Sequence, residues 1–196
     1  YLPEGWKRTA LKGRRLQAES GYSISTKIMK QLFVLFLVYN SISAFAQTEK
    51  TYSQTSYSIK YPENWTLDTS KSLSDAIFFF SPPESSSDNF SENVNVITQD
   101  LKGKNIDLVA YKSITEQQMA AAENIKLLSS EIENTPTGDR YAVIYQLTMS
   151  GNKLHIKSIC YIKSDTAYLA TFATKVDTFD KYDQIGTAIL NSFELR

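Results

Sequence analysis

From Tyr57 to Tyr61 the chain alternates apolar and polar side chains, the pattern of a half-buried strand. Pro62 interrupts that ladder, and Glu63-Asn64 form a turn before Trp65. Ala76 to Phe80 reads as a short aromatic strand, and Asn93-Val94-Asn95-Val96-Ile97 resumes the two-residue period. Between them Ser81 to Asn89 is polar and marked by Pro82-Pro83, which predicts a mobile loop. After the turn Lys102 to Asn105 the period lengthens. Leu108, Tyr111, Thr115, Met119 and Ala122 recur at three- and four-residue steps, so a helix is expected from about Asp107 to Glu123.

The second half is more regular. Ile125–Glu133, Tyr141–Met149, Leu154–Lys163 and Ala167–Thr174 each read as strands. Thr135 to Asp139, Ser150-Gly151-Asn152 and Ser164-Asp165 separate them, each short enough for a hairpin, so the four form an antiparallel meander. Tyr141, Val143, Tyr145, Leu147 and Met149 share one face of their strand, and Arg140, Gln146 and Thr148 the other. A last helix is expected from about Thr178 to Ser192, with Phe179, Tyr182, Gly186, Ile189 and Phe193 as its apolar stripe. An antiparallel sheet with separate helices is the α+β class.

Upstream of these elements lies a different pattern. Lys30 followed by the apolar run Leu32 to Val38 and then Ala44-Phe45-Ala46 has the three parts of a secretory signal peptide. The expected organisation is therefore an upstream extension foreign to the folded protein at 1–28, a signal peptide at 29–46 with Met29 as its start, and one α+β domain at 47–196. Asn40, Ser41 and Ser43 interrupt the apolar run, which falls short of the roughly 20 residues that span a bilayer. The expected location is secreted or periplasmic, with no stable membrane span after cleavage near Ala46.

Charge changes its meaning once the leader is set aside. The whole chain balances 21 basic against 21 acidic residues, but residues 1–46 hold 7 of the basic and 2 of the acidic. The remaining 14 against 19 give the domain a net charge of −5, which argues against nucleic acid or an anionic membrane surface as partner. Cys160 is the only cysteine, so no internal disulfide supports the fold.

The segment Tyr57 to Trp65, reading YSIKYPENW, resembles the aromatic-x-I-x-Y-P-x-x-W opening of the PsbP-like family. That family includes the photosystem II extrinsic protein P, many secreted bacterial proteins and a Ran-binding nuclear import factor. Asn93 to Ile97, Ala167 to Phe172, and Phe179-x-x-Tyr182 leading to Ile189-Leu190-Asn191-Ser192-Phe193 are similar to further family segments. The resemblance spans roughly Tyr52 to Leu195 and rests on core and turn residues. It implies a single-domain α/β/α sandwich, a central antiparallel sheet flanked by helices on both faces, and a role in binding or assembly rather than catalysis. No residue matches the photosystem subunit's metal ligands or the import factor's Ran-contacting surface, so neither role is carried over.

The chemistry that remains is sparse. His155 is the only imidazole and lies five positions before Cys160, which puts the two on opposite faces of one strand, roughly 16 Å apart. They cannot form a nucleophile–base pair. Cys160 has the parity of Leu154, Ile156 and Ile162 and reads as a buried thiol, while His155 has the parity of Lys157 and reads as solvent-facing. One histidine and one cysteine do not furnish a structural zinc site, and no glycine-rich phosphate loop is present. Asp177, Asp180 and Asp183 read as helix-dipole partners rather than calcium ligands. Trp65 reads as a core plug. No cofactor and no metal are expected.

Two functions follow. The first is a secreted, non-catalytic module binding a protein or small molecule of the cell envelope through a sheet end and the 81–92 loop. Its candidate binding residues are Glu84, Asp88 and Glu92, which could also take a weak divalent ion, and Phe90 as the aromatic anchor. The alternative is an envelope hydrolase using paired carboxylates, which requires two acidic side chains roughly 5–10 Å apart in a pocket.

Overall fold

The alternating segments pair as expected in a computed structural model that describes residues 48–70 and 76–196. The extension at 1–28, the signal peptide at 29–46 and its cleavage site lie outside the described residues. Among the described residues ten strands and two helices follow one another: β1 Glu49–Ser53, β2 Tyr57–Pro62, β3 Thr66–Asp68, β4 Ile77–Phe80, β5 Asn93–Asp100, α1 Leu108–Ala120, β6 Ile125–Thr135, β7 Gly138–Met149, β8 Asn152–Lys163, β9 Thr166–Lys175, α2 Phe179–Asn191 and β10 Glu194–Leu195. Seven of the strands form a sheet in the order β3-β4-β5-β9-β8-β7-β6, and β1-β2-β10 form a second, small sheet. Every pairing is antiparallel. The described residues all belong to one compact unit, 47–196, and none of their helices is long and apolar enough to cross a membrane.

The meander is closed by tight turns. Thr135 faces Gly138, Met149 faces Asn152, and Lys163 faces Thr166, so each connection has two residues. Ser150-Gly151 and Ser164-Asp165 all take positive φ, the mirror-image turn whose twist matches that of the flanking strands.

Strand alternation sorts the core into clusters. Ile159 and Tyr161 of β8, with Tyr168, Ala170 and Phe172 of β9, pack with Tyr182, Ile189 and Leu190 of α2 and with Tyr57, Ile59 and Trp65. Their neighbours in sequence, Cys160, Ile162, Ala167 and Leu169, pack instead with Tyr141, Val143 and the α1 residues Leu108, Tyr111 and Met119. A third cluster on that same strand parity joins Leu154, Ile156 and Ala173 to Tyr145, Leu147 and Phe90. Trp65 is buried in the first cluster, as its position after the turn predicts.

The two helices are held differently. Asp107 caps α1, its carboxylate accepting the Ala110 N–H at 2.8 Å, yet no α1 residue is fully buried. By contrast α2 buries Tyr182, Gly186, Ile189 and Leu190. A Cβ on Gly186 would stand 2.4 Å from the Phe172 ring, so the hydrogen side chain is what lets α2 approach β9.

Candidate functional site

The β4–β5 connection, residues 81–92, is cross-braced rather than loose, a correction to the mobile loop expected from its composition. Ser81 N–H donates to the Glu92 carbonyl at 2.8 Å, extending the hairpin by one pair. Inside it Asp88 organises the backbone: its carboxylate accepts the Glu84 N–H at 3.0 Å and the Phe90 N–H at 3.2 Å, while Asp88 N–H donates to the Ser85 carbonyl at 3.1 Å. These bonds, with the Lys175 ammonium, hold the Asp88 carboxyl below its ordinary range.

Two lysines tie the segment to separate elements. Lys181 of α2 donates to Glu84 Oε1 at 2.8 Å, which lowers the Glu84 carboxyl and raises the lysine. Lys175, at the end of β9, reaches Asp88 Oδ1 at 3.4 Å and Asn89 Oδ1 at 3.2 Å. The same ammonium stands 5.8 Å from the centre of the Phe90 ring. Phe90 itself is partly buried and packs onto Leu154, Ile156 and Ala173, so its ring is seated on the sheet. The segment thus straddles the end of β9, with Glu84 held from α2 and Phe90 seated on the sheet parity that α1 packs against.

Glu92 departs furthest from expectation. Instead of flanking an open loop it is 1% exposed. Ser81 Oγ donates to its Oε2 at 3.3 Å; Thr178 Oγ1 and Thr174 Oγ1 approach its Oε1 at 2.7 and 3.4 Å. The Thr178 hydroxyl, at the N-cap position of α2, makes no capping bond to the helix; it serves the carboxylate instead. Glu92 is therefore a buried structural acceptor, and Glu84 and Asp88 are each engaged by a lysine. Among the described residues no group of three carboxylate, imidazole or thiol side chains is gathered to hold a metal ion. The segment presents outward Pro82, Pro83, Ser85, Ser86, Ser87 and Asn89, with Glu84 also exposed beside Lys181.

His155 also differs from its expected placement. It stacks on Phe179 of α2 with ring centres 3.9 Å apart, and its Nε2 is enclosed without a hydrogen-bond partner. Burial first, and the Lys157 ammonium second, push the imidazole below its ordinary 6.5, while Asp183 pulls the other way. Lys157 bonds Asp183 and, at 3.0 Å, Thr187 Oγ1. Asp183 thus serves an ion pair beneath the helix, and Asp180 lies in its first turn. Cys160 is fully buried and burial pushes its thiol up to about 12, so the thiolate that chemistry would need is not formed at neutral pH.

Two of the hollows lined by described residues lie elsewhere. One of about 230 Å³ opens between the starts of β6 and β8, where Glu123 is its one carboxylate beside Lys126, Gln146, Thr148 and Lys153. The other, about 100 Å³, lies beside α1 among Gln99, Lys104, Tyr111 and Gln118. Neither carries the carboxylate pair that the hydrolase reading requires.

Sequence reasoning missed Lys175, Lys181, Thr174, Thr178 and Ser81. One signal was available: Glu92, Val94 and Val96 share strand parity, and the two valines are buried, which points Glu92 inward. Nothing local announces the lysines, which lie 87 and 97 residues from the carboxylates they meet.

A PsbP-like fold is what this arrangement of sheet and helices defines. The chain is similar in structure to cyanobacterial PsbP from Synechocystis sp. PCC 6803, with TM-score 0.60 and 18% identity over 79% of this chain and 96% of that one. It is similar to LpqN of Mycobacterium tuberculosis, described as involved in cell envelope biogenesis, with TM-score 0.56 and 10% identity over 81% and 96%. It is also similar to the Saccharomyces cerevisiae Ran-binding protein Mog1p, with TM-score 0.53 and 9% identity over 76% and 96%. At these identities the likeness is one of fold. No family model and no curated protein matches the sequence.

Proposed function

We propose that the protein is a secreted, non-catalytic accessory module that docks a protein or small ligand of the cell envelope on the outer surface of residues 81–92. In this reading the signal peptide at 29–46 delivers it and is removed near Ala46, and the two helices cover opposite faces of the sheet to make a rigid support. The observation that carries the proposal is the bracing of the segment. Lys181–Glu84, Lys175–Asp88 and the buried Glu92 fix its backbone, while Pro82, Pro83, Ser85, Ser86, Ser87 and Asn89 stay exposed. Binding to a surface already ordered costs less conformational entropy than ordering a free loop. The roles of two proteins of like fold, Ran binding for Mog1p and cell envelope biogenesis for LpqN, support a binding role in the envelope.

The experiment is capture from an envelope extract on immobilised protein, comparing wild type with a Ser85→Arg, Ser86→Arg, Ser87→Arg variant. All three serines are exposed, so the melting temperature should hold while capture falls. Capture that survives in the folded variant would place the working surface elsewhere.

A further inference from the structure

The outer edge of β6 is open: among the described residues no strand pairs with it, and it ends the seven-stranded sheet. It spans 11 residues and carries three large apolar side chains in solvent, Leu127 at 41%, Leu128 at 43% and Ile132 at 40% exposure. A long edge with exposed apolar residues is a template for another strand. We propose that this edge pairs with the same edge of a second copy, antiparallel and about a two-fold axis through Ser130.

The register against β7 fixes which residues share a face. Leu127 lies opposite Tyr145, Ser130 opposite Val143 and Ile132 opposite Tyr141, all on the parity that packs with α1 or its continuation. Lys126, Ser129, Glu131 and Glu133 lie opposite Gln146, Ile144, Ala142 and Arg140, on the other face. The register shifts between Leu127 and Ser129, leaving Leu128 as the extra residue of a bulge. That shift matters because Leu127 and Ile132 are five apart. In an unbroken strand they would point to opposite faces; the bulge brings them to the same one.

A two-fold axis through Ser130 then pairs residues of like face throughout. Ser129 meets Glu131 of the second copy, Leu127 meets Ile132, and Lys126 meets Glu133. Each pair occurs twice by symmetry, giving two apolar pairs on one face and two opposite-charge pairs on the other. No acidic residue faces another. Cross-strand pairs of both kinds stabilise an antiparallel ladder, and like charges directly opposite would oppose it. The edge is therefore self-complementary, as an isologous contact requires. Lys126 is free for this role, since its ammonium has no partner among the described residues.

Sedimentation of the purified protein over a concentration series tests the pairing. The expected result is a reversible monomer–dimer equilibrium. Lys126→Glu sets glutamate against glutamate twice, and Glu133→Lys sets lysine against lysine twice, so each alone should weaken the dimer at least about tenfold. Mixing the two variants restores both opposite-charge pairs, and a heterodimer of wild-type affinity should form. Because Glu133→Lys also releases Arg140, which Glu133 holds at 2.7 Å, its fold is checked by circular dichroism. Leu127→Lys, at a half-exposed position, gives an arm that leaves that ion pair intact and should weaken the dimer likewise. A wild-type protein that stays monomeric at millimolar concentration would overturn the proposal. So would a dimer indifferent to all three substitutions, a mixture that fails to pair, or an edge that captures only a different protein's strand.

Discussion

Thr178 Oγ1 donates to Glu92 Oε1 at 2.7 Å, and through that bond the residue before α2 holds the base of the segment at 81–92. Ser81 and Thr174 complete the surround. Glu92→Ala would leave the Ser81 hydroxyl without its acceptor and send those of Thr174 and Thr178 to each other and to the Lys175 carbonyl, at a cost of about 1–3 kcal/mol. Glu92→Gln keeps one acceptor oxygen and should cost less. Urea melts of the two variants check this, and an unmoved midpoint for the alanine variant would refute it.

His155 gives a pH signature. Its folded-state value lies below the ordinary 6.5, so the unfolded chain binds the proton more tightly. The stabilisation from neutral His155 is complete above 6.5 and is lost as pH falls through that value toward the folded one. Melting temperature should fall as pH drops below about 6.5, and the slope should flatten in His155→Phe, which keeps the stack on Phe179. Glu84 and Asp88, whose carboxyls are lowered, contribute only at more acidic pH. Equal slopes in wild type and variant would exclude His155 as the source.

Phe90 separates support from surface. Its ring packs on Leu154, Ile156 and Ala173 beneath Lys175, so Phe90→Ala should cost about 1–2 kcal/mol, as loss of a half-buried aromatic does. Substitutions at Ser85 to Ser87 should leave stability alone. Thermal melts distinguish the two, and a Phe90→Ala protein as stable as wild type would mean the ring contributes no packing.

Cys160 should be inert while the protein is folded. With the thiol pushed up to about 12 and fully buried, its reaction with a disulfide reagent at mildly alkaline pH should wait on unfolding. Reaction in denaturant should be immediate. Rapid labelling of native protein would contradict the burial. Cys160→Ser should destabilise by about 1–3 kcal/mol by burying a hydroxyl, whereas Cys160→Val should be tolerated better.

How much of this was legible depended on the range of each signal. The meander followed from period-two runs and two-residue turns, all local. The start of α1 near Asp107 and the apolar stripe of α2 followed from short-range pattern as well. The short strands β1, β3 and β10 carry too little alternation to be read, whereas β4, equally short, was marked by its run of aromatic residues. His155 was misplaced for a different reason. Parity correctly put it on the opposite face from Cys160, but parity says nothing about whether that face is covered, and Phe179 covers it. At the candidate site the turn and its prolines were legible. The bracing was not, because Lys175 and Lys181 reach Asp88 and Glu84 only after the sheet and α2 have formed.

The small sheet sets an order of assembly. β2 pairs with β10 through Ser58–Glu194 and Tyr57–Leu195, and Ser192 Oγ accepts the Lys60 N–H at 2.9 Å across 132 residues of sequence. Contacts so distant along the chain carry a large loop-closure penalty and form late. The hairpins of the meander need no such closure and can nucleate first. Refolding should therefore show early protection of amide hydrogens in β6 to β9 from exchange, with the Lys60 amide, which donates to Ser192 Oγ, acquiring protection only in the final, slower phase, when Tyr57 and Phe193 stack.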